Sequence, residues 1–78
     1  MRKLKTTQYF QFRRTLPDRR EISDDFIREV IESPVKTETQ NDGRIRLWGK
    51  ISGRYLRVVL LEDGETVHNA FYDRKFEE

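Results

Sequence analysis

Three turn signals in the second half of this 78-residue chain constrain its fold more than any other feature. They are Asn41-Asp42-Gly43, Ser52-Gly53 and Asp63-Gly64, and apolar residues alternate with polar ones between them. Glycine preceded by Asn, Asp or Ser is typical of the tight turns that join hairpin strands. The chain after Pro34 is therefore predicted to form consecutive antiparallel strands.

The Ser52-Gly53 and Asp63-Gly64 turns also predict which residues lie opposite each other, if both are two-residue loops. The first hairpin then pairs Ile51 with Arg54, Trp48 with Arg57, Leu47 with Val58, and Ile45 with Leu60. The second pairs Leu60 with Val67, Val59 with His68, Leu56 with Phe71, and Tyr55 with Tyr72. Both registers place one aliphatic set on the core face: Ile45, Leu47, Leu56, Val58, Leu60, Val67 and Phe71.

The Asn41-Asp42-Gly43 turn is compatible with more than one loop length. A three-residue loop at 41–43 sets Glu38 beside Arg46 and turns Val35 inward. We prefer this register because the cross-strand charge pair contributes roughly 0.2–1 kcal/mol.

A helix is predicted near residues 24–32. Ser23 is a good N-cap, and Asp24 and Asp25 follow it at the positive end of the helix dipole. The apolar residues recur at helical spacing and form one stripe: Phe26, Ile27, Val30 and Ile31. Ser33-Pro34 ends the helix.

Residues 7–14 carry aromatic residues at 9, 10 and 12 and are predicted to form a first strand, which ends at Leu16-Pro17-Asp18. The predicted fold is therefore a single α+β domain over residues 1–78, in the order β-α-β-β-β. One helix packs on one face of a mainly antiparallel four-stranded sheet. Residues 1–5 and 74–78 are expected to fray.

Composition excludes several kinds of site. The absence of cysteine rules out disulfides and thiolate chemistry, and a single histidine argues against structural zinc, so we expect no metal and no cofactor. The longest apolar run, residues 58–61, is far shorter than the ~20 residues that span a bilayer, so we expect a cytoplasmic protein without membrane contact.

Charge is unevenly distributed along the chain. Residues 1–20 and 36–57 are basic, whereas residues 21–32 and 62–78 are acidic. Either these charges cancel in space as a solvated surface, or the fold gathers the basic segments onto one surface that attracts phosphate.

The sheet face opposite the helix, called here the open face, is predicted to carry Lys36, Glu38, Arg46, Trp48, Lys50, Tyr55, Arg57, Val59, His68 and Tyr72. Arginines among aromatic rings suit single-stranded RNA, because bases stack on rings while guanidinium groups hold phosphates. The candidate RNA-binding residues are Arg46, Trp48, Lys50 and Tyr55, with Arg19 and Arg20 beside the helix. A plain solvated surface and a protein-binding patch, for a homodimer or another partner, remain alternatives.

The candidate catalytic residues are His68, Arg57 and Tyr72. In a metal-independent ribonuclease, His68 would exchange a proton with the 2′-hydroxyl or the leaving oxygen. Arg57 would stabilise the charged phosphorane, and Tyr72 would orient it or donate a proton. Arg46 is a second candidate for the role of Arg57.

Two stretches carry a family resemblance. Residues 44–72 begin Arg-Ile-Arg-Leu-Trp and run through Gly-Arg-Tyr-Leu-Arg-Val-Val-Leu-Leu-Glu-Asp-Gly-Glu-Thr-Val-His-Asn-Ala-Phe-Tyr. They resemble a group of small uncharacterised bacterial proteins, as does the segment 17–34 with its Pro-Asp-Arg-Arg, Ile-Ser and Ile-Glu-Ser-Pro. In strand–helix–three-strand order that group is similar to the RelE and BrnT toxins of toxin–antitoxin pairs, which are RNA-cutting enzymes.

The resemblance implies a toxin-like RNA-binding protein, with endoribonuclease activity and a small antitoxin partner as further expectations. The alternative from another class is a non-catalytic interaction module that uses the open face to form a dimer or to bind a partner. No phosphate-binding glycine loop, nucleophile elbow or metal-ligand spacing points to other enzyme classes.

Overall fold

The computed structural model of the protein describes residues 4–17 and 21–76. Its elements are α1 (Gln8–Arg13), α2 (Asp24–Glu32), β1 (Lys36–Thr39), β2 (Ile45–Ile51), β3 (Arg54–Leu60) and β4 (Val67–Tyr72). The four strands form one open antiparallel sheet in the order β1-β2-β3-β4. The α+β class and the four-stranded sheet are confirmed.

The predicted helix is confirmed as α2. The Ser23 hydroxyl accepts a hydrogen bond from the Phe26 amide at 3.2 Å, as expected of an N-cap. Ile27 and Val30 are buried in the core, and Phe26 and Ile31 pack against its margin. The helix lies on β2 and β3, on the face that the turns predicted to be apolar.

The first two hairpins have the predicted registers. Glu38 lies opposite Arg46 across a three-residue loop, and Trp48 lies opposite Arg57. The Ser52-Gly53 loop has φ values of 51° and 82°, the left-handed conformation of a tight hairpin turn. Val35, which we expected to turn inward, is 46% exposed because no described element covers the β1 end of the sheet.

The last hairpin departs from its predicted register through a β-bulge. Val67 lies opposite Leu60 as predicted, but Val59 lies opposite Asn69, so His68 is an extra residue in β4. On its outer side, the Val67 amide donates to the Lys5 carbonyl at 2.7 Å and the Val67 carbonyl accepts from the Thr7 amide at 3.1 Å. The bulge follows directly after this pairing with the N-terminal segment.

One extra residue exchanges the two faces of the rest of a strand. Leu56 therefore lies opposite Tyr72 instead of Phe71, and the predicted pair of Tyr55 with Tyr72 is wrong. Phe71, which we assigned to the core face, lies opposite Arg57 on the open face. Tyr72, which we assigned to the open face, packs against the hydrophobic core.

The predicted first strand at 7–14 is wrong, because residues 8–13 form helix α1. The Thr7 hydroxyl accepts from the Phe10 amide at 3.1 Å and caps the helix. A helical backbone buries Phe10 in the core while leaving its neighbours Tyr9 and Phe12 exposed. The element order is therefore α-α-β-β-β-β, and all four strands follow Pro34.

The described residues next to both ends make tertiary contacts, although we expected these segments to fray. Leu4 packs against the core, and the Lys5 ammonium lies 2.9 Å from the Glu65 carboxylate. Phe76 stacks on Trp48. Both helices in the described part of the chain are too short and too polar to cross a bilayer.

Candidate nucleic-acid interface

A row of alternating cations and aromatic rings crosses the open face from one sheet edge to the other. Lys36, Trp48, Arg57 and Phe71 occupy successive strands in register. The Arg57 guanidinium lies 5.4 Å from the Trp48 ring and 5.2 Å from the Phe71 ring, and the Lys36 ammonium lies 6.0 Å from Trp48. The predicted pair of Trp48 and Arg57 therefore forms a cation–π contact.

The C-terminal segment covers this row. The Phe76 ring stacks on Trp48 at 5.0 Å between centroids with an angle of 15°, and it meets Tyr55 edge-on at 5.0 Å. The indole N–H of Trp48 donates to the Asp73 carboxylate at 3.1 Å. Trp48 is only 5% exposed as a result, so its ring offers little area on which a base could stack.

Arg57 is held inside the row. Burial is the main cause that lowers the pKa of its guanidinium, and repulsion from Arg46 adds to it, while Asp73 opposes both. The Asp73 carboxylate lies 3.8 Å from the Arg57 guanidinium. Burial opposes ionisation of Asp73, but its pKa is lowered, chiefly by the hydrogen bond from Trp48. Asp73 therefore contacts both residues of the row, Trp48 through a hydrogen bond and Arg57 through an ion pair.

The other candidate RNA-binding residues of the open face differ in exposure and in the side chains that they contact. Arg46 lies 3.9 Å from the Glu38 carboxylate, whereas Lys50 is exposed on β2. Tyr55 is half-buried beneath Phe76. Arg19 and Arg20 lie outside the described residues.

His68 lies at the outer edge of the sheet, beside the N-terminus of α1. Its ring stacks on Tyr9 at 4.9 Å with an angle of 21°, and its Nδ1 is 3.3 Å from the Thr7 hydroxyl. Burial is the main cause that lowers the pKa of His68, followed by the positive charge of Arg44. The imidazole is therefore mostly neutral near pH 7, and one ring nitrogen is then an acceptor.

Helix α1 places two exposed aromatic rings and a cation on the same surface as His68. Tyr9 is 47% exposed and Phe12 is 64% exposed, and they are neighbours on the helix surface. The Arg13 guanidinium lies 5.9 Å from the Tyr9 ring. We call the surface made of Tyr9, Phe12, Arg13 and His68 the α1–β4 edge.

Sequence reasoning missed three members of the α1–β4 edge, because a strand over 7–14 would have separated Tyr9 from Phe12 on opposite faces. The signal that identifies them is Thr7, whose side chain caps the helix. A six-residue helix shows less than two turns of periodicity, so its apolar pattern was too short to be distinguished from a strand.

The fold does not bring the three candidate catalytic residues together. Arg57 lies on the open face, and Tyr72 lies on the core face beneath the Arg54 guanidinium, which is 3.7 Å from its ring centroid. His68 contacts Thr7 and Tyr9 at the outer edge. The predicted placement of the three residues together on the open face depended on the register that the bulge changes.

Comparisons with protein-family models, with curated proteins and with solved structures found no match to this chain. Within residues 4–17 and 21–76, no cluster of three or more histidine or carboxylate side chains is arranged to hold a metal ion. The open face and the α1–β4 edge are the surfaces whose geometry bears on function.

Proposed function

We propose that this protein binds single-stranded RNA through the α1–β4 edge. The observation that carries the proposal is the exposed ring of Tyr9, stacked on His68 with the Arg13 guanidinium nearby. Exposed rings beside a cation suit unpaired bases and their phosphates. Phe12 supplies a second exposed ring on the same helix surface.

Exposure favours the α1–β4 edge over the open face. On the open face, Trp48 is stacked beneath Phe76, and Arg57 is paired with Asp73. A base could reach Trp48 only after the C-terminal segment moved away. Tyr9 and Phe12 need no such rearrangement.

The toxin resemblance supports the same ligand class, because RelE and BrnT toxins act on RNA. Cleavage by His68, Arg57 and Tyr72 together is not part of this proposal, since Tyr72 packs on the core face. An endoribonuclease activity and a small antitoxin partner stay predictions of the resemblance.

Fluorescence anisotropy with a labelled single-stranded RNA of mixed sequence tests the proposal. Loss of a stacked ring costs about 1–3 kcal/mol per base, so Tyr9→Ala and Phe12→Ala are each expected to weaken binding about fivefold or more. Arg13→Gln is expected to weaken binding and to lower the salt dependence, because it removes a phosphate contact.

Two variants serve as matched controls. Lys50→Gln removes an exposed cation of the open face, and Val35→Ala removes exposed apolar atoms near β1. Both are expected to bind RNA as the unchanged protein does. Binding that is lost in Lys50→Gln but kept in Tyr9→Ala and Phe12→Ala would move the interface to the open face and refute the proposal, as would the absence of any RNA binding.

A further inference from the structure

Strand β1 forms one edge of the sheet, and all four of its residues are exposed. An edge strand presents backbone N–H and C=O groups that can pair with another strand. Among the described elements, β1 has its extensive contacts with β2 alone. Its outer side is therefore available to a partner strand.

The hairpin geometry indicates which backbone groups point outward. The Gln40 amide donates to the Arg44 carbonyl at 2.7 Å, which makes these two residues a hydrogen-bonded pair. Along antiparallel strands such residues alternate with residues whose backbone groups point away from the partner. Counting back from Gln40, Thr37 and Thr39 direct their N–H and C=O groups away from β2.

Side-chain charge selects one register for a second copy of this strand. Lys36 and Glu38 have opposite charges and lie on the same face of β1. Antiparallel pairing centred on Thr37 sets each Lys36 opposite Glu38 of the other copy, which is favourable. A register centred on Lys36 or on Glu38 would set like charges opposite each other and is destabilising.

We propose that two copies of this chain pair through β1, antiparallel and centred on Thr37, to form one continuous eight-stranded sheet. The two Thr37 residues exchange backbone hydrogen bonds, and each Lys36 lies opposite Glu38 of the second copy. The twofold axis runs perpendicular to the sheet through the Thr37 pair. The α1–β4 edges lie at the two far ends, so this dimer does not depend on the proposed RNA binding.

Charge variants test the register by sedimentation velocity over a range of concentrations. The unchanged protein is expected to show a concentration-dependent monomer–dimer equilibrium. Lys36→Glu and Glu38→Lys each set like charges opposite each other twice per dimer, so each alone is expected to weaken association about tenfold. An equal mixture of the two variants restores both opposite-charge pairs and is expected to dimerise again as a heterodimer.

A backbone variant tests the same interface without changing charge. Thr37→Pro removes an N–H that points away from β2, so it is expected to abolish the dimer while the monomer keeps its fold. Thr37→Val retains the N–H and is the matched control, expected to dimerise as the unchanged protein does. Far-ultraviolet circular dichroism shows whether each variant is folded.

Several results would overturn the proposal. These are a monomer at every concentration, a Glu38→Lys protein that associates as strongly as the unchanged one, or a mixture of the charge variants that stays monomeric. Continued dimerisation of a folded Thr37→Pro protein would also exclude pairing through β1.

Discussion

His68 occupies the extra position of the β4 bulge, and its ring contacts Tyr9 and the Thr7 hydroxyl. The pKa of its imidazole is below the ordinary value of 6.5, first because of burial and second because of Arg44. Protonation is therefore less favourable in the folded state than in the unfolded state. This difference makes the stability of the fold depend on pH.

We predict that the free energy of unfolding decreases as the pH falls, because His68 is harder to protonate in the folded state. A pKa depressed by folding means that, between the unfolded pKa of about 6.5 and the lower folded pKa, the unfolded chain binds more protons than the folded one. The contribution of neutral His68 is therefore fully present above the unfolded pKa. It is lost as the pH falls from about 7 towards the lower folded pKa. Urea unfolding of the unchanged protein and of His68→Gln at pH values across this window measures the effect.

His68→Gln is the reference because glutamine does not titrate, whereas all other groups remain. As the pH falls through this window, the unchanged protein should lose more unfolding free energy than His68→Gln does. Parallel pH profiles for the two proteins would contradict the lowered pKa.

The position of some open-face residues could be predicted from the sequence, because the turn residues determine the register of the hairpin. Ser52-Gly53 fixes the register that sets Trp48 opposite Arg57, and the structure has that pair. The β4 bulge has no such signal, because its extra residue is a histidine and not a glycine or a turn residue. The exchange of Phe71 and Tyr72 between the faces therefore could not be predicted.

At the scale of elements, Gly49 determines how closely α2 approaches the sheet. A Cβ atom at Gly49 would lie 2.7 Å from Cγ2 of Val30 and 3.2 Å from its Cα. The second contact involves the helix backbone, so rotation of the Val30 side chain would not relieve all of it. The glycine thus allows α2 to lie directly on β2.

We predict that Gly49→Ala lowers the free energy of unfolding by about 1–3 kcal/mol, the usual cost of overpacking a core. Chemical denaturation measures it. A double-mutant cycle with Val30→Ala is the control, because the smaller side chain removes the shorter contact. The double variant should be less destabilised than the sum of the single variants. Simple additivity would indicate that the two residues do not interact as described.

The two helices differ in how well the sequence predicts them. Helix α2 has an N-cap, acidic residues in its first turn, a full apolar stripe and a proline stop, which all indicate a helix. Helix α1 has a cap and one buried ring, and its position depends on tertiary contacts. Arg14 provides one of these, since its guanidinium lies 2.6 Å from the Asp24 carboxylate of α2. The same guanidinium lies 4.9 Å from the Phe10 ring within α1.

In the whole molecule, the basic and acidic segments partly neutralise each other. Arg14 of the basic N-terminal segment pairs with Asp24, and Arg54 of the second basic segment pairs with Glu21 at 3.0 Å. Arg57 pairs with Asp73 of the acidic C-terminal segment. These pairs favour the alternative in which the charges cancel in space, and long-range pairing of this kind cannot be read from local charge runs.

The C-terminal segment covers the open face, and Trp48 reports this directly because it is the chain's one tryptophan. We predict that Phe76→Ala shifts the Trp48 emission to longer wavelength and increases quenching by acrylamide, since water replaces the stacked ring. The lost stacking should also lower the free energy of unfolding by about 0.5–1.5 kcal/mol.

Lys75→Ala, at an exposed position of the same segment, is the control and should leave the emission unchanged. Emission from Phe76→Ala that matches the unchanged protein would mean that the segment does not shield Trp48 in solution, and the open face would then again be accessible to RNA bases.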